Sequence, residues 1–464
     1  MVKQPQSAQQ TRSLVIGGLS GGSGKSVATI GLIGALREQG RVVPYKKGPD
    51  YIDAGWMARA AGQPCYNLDP YLMAEDVLRR SFLSHLDGAD FAVIEGNRGL
   101  FDGVDADGSF STAELALALD LPLVLVVNCT KTTRTVAAMV LGCRGLEPRL
   151  KISGVILNQI ATPRHERVVR EAVEKYTGVP VVGIVPRLKT DIFPMRHLGV
   201  TPHQESDSAD AVIDRLTRLA RDHFDMDRIR GLMQPVTGDP QPEVRNPNPK
   251  IRLGILRDAA FQFYYQENLE ALEARGAELV MLNALTDQEL PPDLDGLYIG
   301  GGFPETSARQ LGENASFRES VRNAAESGLP IYAECGGLIF LGREIILDGT
   351  SYPMAGVFPV TFGLAGKPQA HGYSTCVVEL ENPFYEKGTV IRGHEFRYST
   401  VDQWPGNPGR LVFRVERGTG FTAGRDGLLN NGKNVLALYT HVLAPATPQW
   451  ADGLIAAARR HAGA

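Results

Sequence analysis

A glycine-rich stretch near the start of the chain has the residue types that bind phosphate. Residues 19–26 read LSGGSGKS and lie between an apolar run and an amphipathic run typical of a helix. Backbone N–H groups at such a turn converge on phosphate oxygens, a lysine bridges the outer phosphates, and the following hydroxyl binds Mg²⁺. We therefore expect a nucleotide-binding loop formed by Gly21, Gly22, Ser23, Gly24, Lys25 and Ser26.

The spacing of this loop differs by one residue from the usual G-x-x-x-x-G-K-[ST] pattern. Counting back from Lys25 places Leu19 at the first glycine position, and Gly18 leaves five residues before Gly24. A loop that is longer by one residue resembles that of dethiobiotin synthetase and its relatives, which activate carboxylates by phosphorylation. Partition-type ATPases carry a lysine five residues before the loop lysine, where this chain has Ser20.

Acidic side chains follow two further apolar runs of the N-terminal half. Asp50 and Asp53 lie in KKGPDYID, and Glu95 begins EGNRGLFDG. Isolated carboxylates are usually solvated surface charges, but the carboxyl ends of parallel strands meet at one edge of a sheet. We therefore expect Ser26, Asp50 and Glu95 to bind one Mg²⁺ ion, with Asp53 as a further candidate. Asn158 ends another apolar run and could bind the adenine edge, although a turn-forming asparagine is an equally good interpretation.

A second candidate centre lies in the C-terminal half, around Cys335 in LPIYAECGGLIFLG. Small residues beside the cysteine allow a tight strand-to-helix turn that exposes a nucleophile, and the helix N-terminus is expected to lower the thiol pKa. A buried structural cysteine is the alternative interpretation. The glycines of LYIGGGFPE and the residue after the cysteine could donate N–H groups to a tetrahedral oxyanion. The candidates for this role are Gly301, Gly302 and Gly336.

The base that would activate this thiol must be a histidine that folding brings close, since none is adjacent in sequence. The candidates are His371, His394 and His441. His441 follows the strand-like run NVLALYT near the end of the chain, and this position suits a catalytic base best.

Short apolar runs that alternate with amphipathic stretches must position these residues. Runs such as LPLVLVV and VPVVGIVP are rich in Val, Ile and Leu, as expected of strands buried on both faces of a parallel sheet. A proline-rich polar stretch interrupts the pattern, and a second strand-helix series with a β-rich tail follows. We expect an α/β domain at 1–230, a linker at 231–250 and a second α/β domain at 251–464.

Bulk composition excludes several other classes of protein. The chain has 464 residues and a formal net charge of −4, which indicates neither a disordered, a nucleic-acid-coating nor a membrane-surface protein. Five scattered cysteines without a C-x-x-C pair indicate neither a disulfide framework nor a zinc site. The N-terminal segment is polar and lacks a hydrophobic signal sequence, so we expect a cytoplasmic protein with no nucleic-acid or membrane partner.

The motifs of both halves together resemble the cobyrinic acid a,c-diamide synthase family. The resemblance spans residues 14–441 and implies a dethiobiotin-synthetase-like P-loop domain, the ATP-dependent amide synthetase, fused to a class I glutamine amidotransferase α/β domain. Besides the extended loop, the stretches that carry it are KKGPDYIDAGW, EGNRGLFDG, PMRHLG, RDAAFQFYYQENLEAL, GGGFPE, AECGGLIFLG and GHEFRYS.

The resemblance further implies an activity and roles for individual residues. ATP would phosphorylate a side-chain carboxylate of a tetrapyrrole, and ammonia from glutamine would displace the phosphate to leave an amide, on the a and c acetate groups. Cys335 matches the nucleophile of the family and His441 its assisting histidine. Asp50 and Glu95 match carboxylates near Mg²⁺ and the substrate. The residues expected to contact the substrate are Asp53, Arg98 and Asp102.

Two departures from the family pattern leave alternatives open. Class I glutaminases carry a glutamate two residues after the histidine, where this chain has Leu443, so the third triad member is missing or comes from elsewhere. Asn97 and Arg98 stand where the cobyrinate enzymes tend to be apolar, and Arg98 could bind a substrate carboxylate through paired hydrogen bonds. Sirohaem and nickel-sirohydrochlorin are therefore alternative substrates. A P-loop ATPase switch is the alternative of a different class, and the sequence leaves a homodimer open.

Overall fold

The computed structural model describes residues 10–188, 195–196, 199–200, 202, 208–239 and 251–463. The chain divides into two compact units, Met1–Pro242 and Glu243–Ala464. The motif PMRHLG lies partly outside the described residues. Among the residues that the structure describes, no helix is long and apolar enough to cross a membrane.

The first unit is built around an eight-stranded sheet with helices between successive strands. Its elements in chain order are β1 (Gln10–Gly18), α1 (Lys25–Arg37), β2 (Val42–Lys47), α2 (Ile52–Ala61), β3 (Tyr66–Leu68), α3 (Glu75–Ser84), β4 (Phe91–Glu95), α4 (Thr112–Ala118), β5 (Leu123–Asn128), α5 (Thr135–Leu146), β6 (Ile152–Ile160), α6 (Pro163–Thr177), β7 (Val181–Pro186), β8 (Met195–Arg196), β9 (Gly199–Val200), α7 (Ala209–His223), α8 (Met226–Leu232) and β10 (Gln234–Thr237).

The sheet of the first unit is parallel in the order β3-β2-β4-β1-β5-β6-β7. Its central strands are continuous apolar runs because both faces are covered, and every residue of β2 and β4 is buried. Strands β2, β4 and β1 are neighbours, so their carboxyl ends bring the glycine-rich loop, KKGPDYID and EGNRGLFDG to one edge. The predicted parallel sheet is confirmed.

The structure differs from the predicted linker at its start. Residues 231–232 end helix α8, and Gln234–Thr237 form β10, which pairs antiparallel with the first half of β1. Pro235 is compatible with this strand because β10 has only one neighbour, and a missing N–H on the open side breaks no hydrogen bond. The rest of the predicted linker from 240 to 250 lies outside the described residues.

The second unit contains a second strand-helix series followed by antiparallel strands. Its elements are β11 (Ile251–Leu256), α9 (Gln266–Ala274), β12 (Ala277–Leu282), β13 (Gly296–Ile299), α10 (Ala308–Glu313), α11 (Ala315–Glu326), β14 (Ile331–Glu334), α12 (Gly336–Leu341), β15 (Glu344–Leu347), β16 (Thr350–Pro353), β17 (Thr361–Leu364), β18 (Ala370–Val378), β19 (Val390–Arg397), β20 (Ser399–Gln403), β21 (Phe413–Arg417), β22 (Arg425–Asp426), β23 (Leu428–Leu429), β24 (Val435–Leu438), β25 (His441–Val442) and α13 (Gln449–Ala462).

The principal sheet of the second unit has the order β12-β11-β13-β14-β24-β23 and is parallel except for β23. Two smaller sheets, β16-β15-β17-β20 and β22-β21-β18-β19-β25, account for the β-rich tail. Strands β13, β14 and β24 are neighbours, so the glycines after β13, Cys335 after β14 and His441 after β24 meet at one edge. The second predicted α/β fold is confirmed.

Two candidate active sites

The glycine-rich loop of the first unit packs so closely that one position requires glycine. Gly24 precedes helix α1 with φ 92°, a backbone conformation that side chains rarely adopt. A Cβ at Gly24 would lie 2.1 Å from the Asn158 amide nitrogen, which donates a hydrogen bond to the Ser23 carbonyl at 2.8 Å. The Asn158 amide therefore stabilises the loop through its hydrogen bond to Ser23, and this contact favours the structural interpretation of that residue over adenine binding.

The loop lysine is folded back onto the chain. The Lys25 ammonium donates to the carbonyl of Ser20 at 3.0 Å and to that of Arg98 at 2.7 Å. Its pKa is lowered because burial outweighs the attraction of Glu95. Both partners are neutral carbonyls, so the ammonium can exchange them for phosphate oxygens without leaving a charge unpaired.

A charged cluster of Ser26, Lys46, Asp53 and Glu95 lies beside the loop. The Lys46 ammonium is 2.8 Å from Asp53 Oδ2 and 2.7 Å from Glu95 Oε1. The Ser26 hydroxyl donates to Glu95 Oε1 at 3.0 Å and contacts Asp53 Oδ2 at 3.3 Å. Sequence reasoning missed Lys46, although a lysine inside a fully buried strand end next to acidic residues was a usable signal.

Burial and ion pairing shift the pKa values of the acidic groups in this cluster in opposite directions. Burial raises the pKa of Glu95 more than Lys46 lowers it, and burial followed by repulsion from Asp53 raises the pKa of Asp50 to about 7. Burial also acts to raise the pKa of Asp53, but the Lys46 charge outweighs it and the pKa is lowered. For Lys46, Asp53 and Glu95 outweigh burial, so its pKa lies well above the usual value.

The predicted metal ligands are only partly brought together. Ser26 and Glu95 are in contact, whereas Asp50 reaches the cluster through Lys46, whose Nζ is 3.7 Å from Asp50 Oδ2. Asp50 Oδ1 accepts from the backbone N–H groups of Ile52 and Asp53 at 3.0 and 3.1 Å. Asp53 takes the place next to Ser26 that was expected for Asp50. The described part of the chain holds no group of three or more His, Cys, Asp or Glu residues arranged as a metal centre.

The donor set nevertheless fits a nucleotide-bound Mg²⁺ ion. Such an ion takes one or two protein ligands and completes its shell with phosphates and waters, so a three-carboxylate cage is not required. Glu95 Oε2 is buried without a hydrogen-bond partner in the structure, and the Ser26 hydroxyl lies on the same carboxylate. These two groups fit the ion.

The remaining predicted substrate residues lie on the loop after β4. Arg98 adopts φ 50°, which turns its carbonyl toward Lys25 and leaves its side chain exposed. Asp102 Oδ2 accepts from the Gly99 N–H at 2.8 Å and so stabilises the turn. Arg98 and Asp102 therefore belong to a loop beside the phosphate loop, and their contact with a substrate stays a prediction.

In the second unit, Cys335 occupies a strained turn between β14 and α12. Its backbone has φ 46° and ψ −97°, and its N–H donates to the Leu438 carbonyl at 2.8 Å. Gly336 packs against the chain after β13, because a Cβ there would be 2.9 Å from the Gly302 nitrogen. The turn thus presents the cysteine at the strand edge next to the predicted oxyanion glycines.

His441 reaches the same edge and contacts a carboxylate that the sequence did not suggest. His441 Nδ1 lies 3.4 Å from Glu334 Oε2, and both residues are almost fully buried. A Cβ at Gly301 would be 2.3 Å from His441 Cε1, so the ring lies directly against an oxyanion glycine. Glu334 immediately precedes the cysteine, and it offers the carboxylate that Leu443 cannot supply.

The other candidate histidines occupy different environments. His394 stacks on His441 with ring centroids 4.9 Å apart, and its Nδ1 is 3.2 Å from the Tyr265 hydroxyl. His371 is exposed and lies edge-on to Phe396. The contact with Glu334 distinguishes His441 from both.

Burial keeps the groups around the cysteine uncharged near neutral pH. It raises the pKa of Cys335 to about 12, lowers that of His441 to about 3 and raises that of Glu334 to about 8. The expectation that the helix would lower the thiol pKa is not met, because complete burial outweighs the effect of the six-residue helix α12. The proton therefore stays on sulfur until a substrate changes the surroundings.

Comparison with known proteins identifies both units. Residues 14–198 match the family described as CobQ/CobB/MinD/ParA nucleotide binding domain, and residues 252–448 match the CobB/CobQ-like glutamine amidotransferase domain. A cobyrinate a,c-diamide synthase of Magnetococcus marinus is 41% identical over 442 residues, covering 93% of this chain and 94% of the relative. The synthase of Dehalococcoides mccartyi is 38% identical (95% and 97% covered), and that of Archaeoglobus fulgidus 39% (92% and 93%).

The fold and the two sites define a class: a glutamine-hydrolysing, amide-forming ligase with a nucleotide-binding domain and a glutamine amidotransferase domain. A P-loop ATPase switch does not fit the amidotransferase half, so that alternative is set aside. At these identities over nearly the whole length, the chain belongs to the cobyrinate a,c-diamide synthase family.

Proposed function

We propose that this enzyme uses ATP and glutamine to convert the a and c acetate carboxylates of a tetrapyrrole, of the cobyrinate type, into amides. The observation that carries the proposal is the presence in one chain of a phosphate loop beside a charged cluster and of a buried cysteine at the same sheet edge as a histidine–carboxylate pair. The relatives named cobyrinate a,c-diamide synthase support the substrate.

The first step of the proposed reaction activates the carboxylate. A carboxylate resists attack by ammonia because the leaving group would be oxide, so its oxygen attacks the γ-phosphorus of ATP and the bond to ADP breaks. The N–H groups of Gly21, Gly22 and Gly24 bind the phosphates, and Lys25 leaves its two carbonyl partners to neutralise charge on the outer phosphates. The product is an acyl phosphate.

Ser26 and Glu95 would hold Mg²⁺ in this proposal, and the ion supplies positive charge next to the phosphates when bound. Lys46 keeps Asp53 ionised and fixes Asp53 and Glu95 in position. Asp50, Asp53, Arg98 and Asp102 line the place where the substrate carboxylate meets the phosphate loop. Arg98 offers paired hydrogen bonds to a substrate carboxylate.

The second site generates ammonia where it is needed. Cys335 attacks the side-chain amide of glutamine while His441 takes the thiol proton and delivers it to the departing ammonia. Glu334 holds His441 through Nδ1, which leaves Nε2 for this proton transfer. The N–H groups of Gly301, Gly302 and Gly336 stabilise the oxyanion, and water then releases glutamate from the thioester.

Ammonia completes the reaction by attacking the acyl phosphate carbon, and inorganic phosphate leaves. Free ammonia is mostly ammonium at neutral pH and cannot attack, so release from glutamine inside the enzyme provides the unprotonated nucleophile. We place the enzyme in the cytoplasm, as a monomer or a homodimer, with small-molecule partners only. The near-neutral net charge supports the absence of a nucleic-acid partner.

To test the proposed function, the enzyme is incubated with ATP, Mg²⁺, glutamine and one tetrapyrrole at a time: cobyrinic acid, sirohaem or nickel-sirohydrochlorin. The products are identified by mass spectrometry. Conversion of two carboxylates of cobyrinic acid to amides is the expected result. Conversion of sirohaem or nickel-sirohydrochlorin alone would reassign the substrate, in line with Arg98 in the loop after β4. ATP hydrolysis without amidation of any tetrapyrrole would overturn the proposal.

A further inference from the structure

Strand β2 ends in two lysines, and among the residues that the structure describes only the ammonium of Lys46 has a hydrogen-bond or ion-pair partner. Lys46 lies in the charged cluster, whereas Lys47 is turned away from it by the alternation of side chains along a strand. Lys47 is 6% exposed, and its ammonium forms no hydrogen bond or ion pair with any residue that the structure describes. The stem of this side chain is enclosed, but Nζ is not among the polar atoms sealed from solvent, so the ammonium lacks a counter-ion among the described residues and can be reached by an anion.

The charged groups around Lys47 come from three neighbouring elements. Asp69, after β3, and Glu114, in α4, attract the ammonium, whereas Arg98 and Lys46 repel it. Burial is the largest influence, and the pKa of Lys47 is lowered in spite of Asp69. Asp69 forms no ion pair with Lys47 in the described structure, and its Oδ1 accepts the N–H groups of Tyr71 and Leu72 at 2.8 and 3.2 Å.

Arg98 contributes a second cation to the same place. Its backbone has the left-handed conformation, its carbonyl lies beside Lys25, and the turn that follows is held by the hydrogen bond from the Gly99 N–H to Asp102, so the loop that carries its guanidinium lies next to the phosphate loop. Lys46 is paired with Glu95 in the register of β2 and β4, so Lys47 and Arg98 follow at the ends of adjacent strands, and their charges repel. An anion between them would remove the repulsion and supply the missing partner of Lys47.

We propose that Lys47 and Arg98 form an anion subsite for a substrate carboxylate other than the one that is amidated. This inference rests on the proposed function, since a tetrapyrrole with several carboxylate arms provides such a group beside the reacting one. The subsite sits at the carboxyl ends of β2 and β4, next to the phosphate loop, so holding a neighbouring arm fixes which carboxylate reaches the γ-phosphate. Lys47 is thus a specificity-determining residue.

The test compares the full-length wild type with Lys47→Met, Arg98→Met and Lys175→Met, the last an exposed lysine of helix α6 as matched control. Equilibrium binding of the accepted tetrapyrrole is followed by its visible absorbance, with the free acid and with its permethyl ester. We expect Lys47→Met and Arg98→Met each to weaken binding of the acid by about tenfold or more, with no loss for the ester, because only the acid offers charged oxygens. Methionine keeps the buried stem and removes an ammonium that has no ion-pair partner among the described residues, so the melting temperature of Lys47→Met should not fall.

Measuring the KM for ATP in the Lys47→Met variant distinguishes a subsite for a substrate carboxylate from a site for a phosphate of ATP. An unchanged KM for ATP together with weaker tetrapyrrole binding supports the proposal. A raised KM for ATP with unchanged tetrapyrrole binding would overturn it and assign Lys47 to the nucleotide, and equal losses for acid and ester would reduce Lys47 to a structural role. A wild type that neither binds nor amidates any tetrapyrrole would instead be a failure of the proposed function.

Discussion

The two candidate sites lie at equivalent places in their sheets but differ in charge. In the first unit, Lys46 at the end of β2 lies between the carboxylates of Asp53 in α2 and Glu95 at the end of β4, at 2.8 and 2.7 Å. In the second unit, the carboxyl ends of β14 and β24 hold Glu334, Cys335 and His441, which burial keeps neutral near pH 7. Phosphate transfer requires fixed charges, whereas amide hydrolysis requires a proton that moves only when the substrate is present.

We expect the largest effect from removing the nucleophile of the second unit's site, whose groups are neutral near pH 7. Cys335→Ala should lower glutamine-dependent amidation by at least about ten-thousandfold, because no other group can form the thioester. Amidation with ammonium salts at pH 8.5 should persist, since the charged site is untouched. Mass spectrometry of the tetrapyrrole product measures both rates, with Cys143→Ala, a packing residue of the first unit, as control. An equal loss of amidation with glutamine and with ammonium would contradict the assignment of Cys335 to glutamine hydrolysis alone.

Removing a lysine from the phosphate loop of the first unit should stop amidation with both nitrogen sources but leave glutamine hydrolysis in place. Lys25→Ala should lower amidation by about a thousandfold with either nitrogen source, because charge on the transferred phosphoryl group is no longer neutralised. Hydrolysis of glutamine to glutamate in the absence of ATP should remain detectable, which a coupled glutamate assay measures. Lys175→Ala should behave as the wild type. Retained amidation in Lys25→Ala would remove this lysine from phosphate handling.

A smaller effect tests whether the charged cluster holds Mg²⁺. Glu95→Gln keeps the shape of the side chain but removes the charge, so the Mg²⁺ concentration for half-maximal ATP-dependent amidation should rise by about ten- to a hundredfold. The exposed Glu171→Gln of helix α6 is the matched control. A magnesium titration that superimposes on that of the wild type would exclude Glu95 as a ligand.

The smallest effect concerns the carboxylate beside the histidine. Glu334→Gln should reduce glutamine-dependent activity by roughly tenfold to a hundredfold, because glutamine cannot become the carboxylate that stabilises His441 once it has taken the thiol proton, while ammonium-dependent amidation stays unchanged. Glu313→Gln, exposed at the end of helix α10, is the control. A rate equal to that of the wild type would mean that His441 works without Glu334.

The same variant has a pH signature in stability. The pKa of Glu334 rises from its ordinary 4.5 to about 8 in the folded protein, so the unfolded chain loses the proton first as pH rises. Between these two pH values the Glu334 carboxyl group lowers the unfolding free energy of the wild type more and more as pH rises. Glu334→Gln removes this pH dependence. The difference in unfolding free energy between the two proteins should therefore grow in favour of the variant from pH 4.5 to pH 8. Urea titrations across this range measure it.

Much of the fold and part of each site could be predicted because local patterns specify them. Unbroken apolar runs indicated the parallel strands, and the glycine-rich loop and the AEC turn indicated the phosphate loop and the elbow around Cys335. The beginning of the predicted linker was wrong because the hydrogen bonds of β10 are made with β1, far away in sequence, and prolines do not prevent an edge strand.

The sequence by itself determined the glycine-rich loop with Lys25, the cysteine in its turn and the alternating α/β pattern, because each depends on residues close together in the chain. Only the tertiary structure decided the partners of these groups. Lys46 meets Glu95 across 49 positions and His441 meets Glu334 across 107, and both contacts depend on which strands are neighbours in the sheet. Burial at those strand ends then sets the pKa of each group, a quantity that depends on all the atoms packed around it.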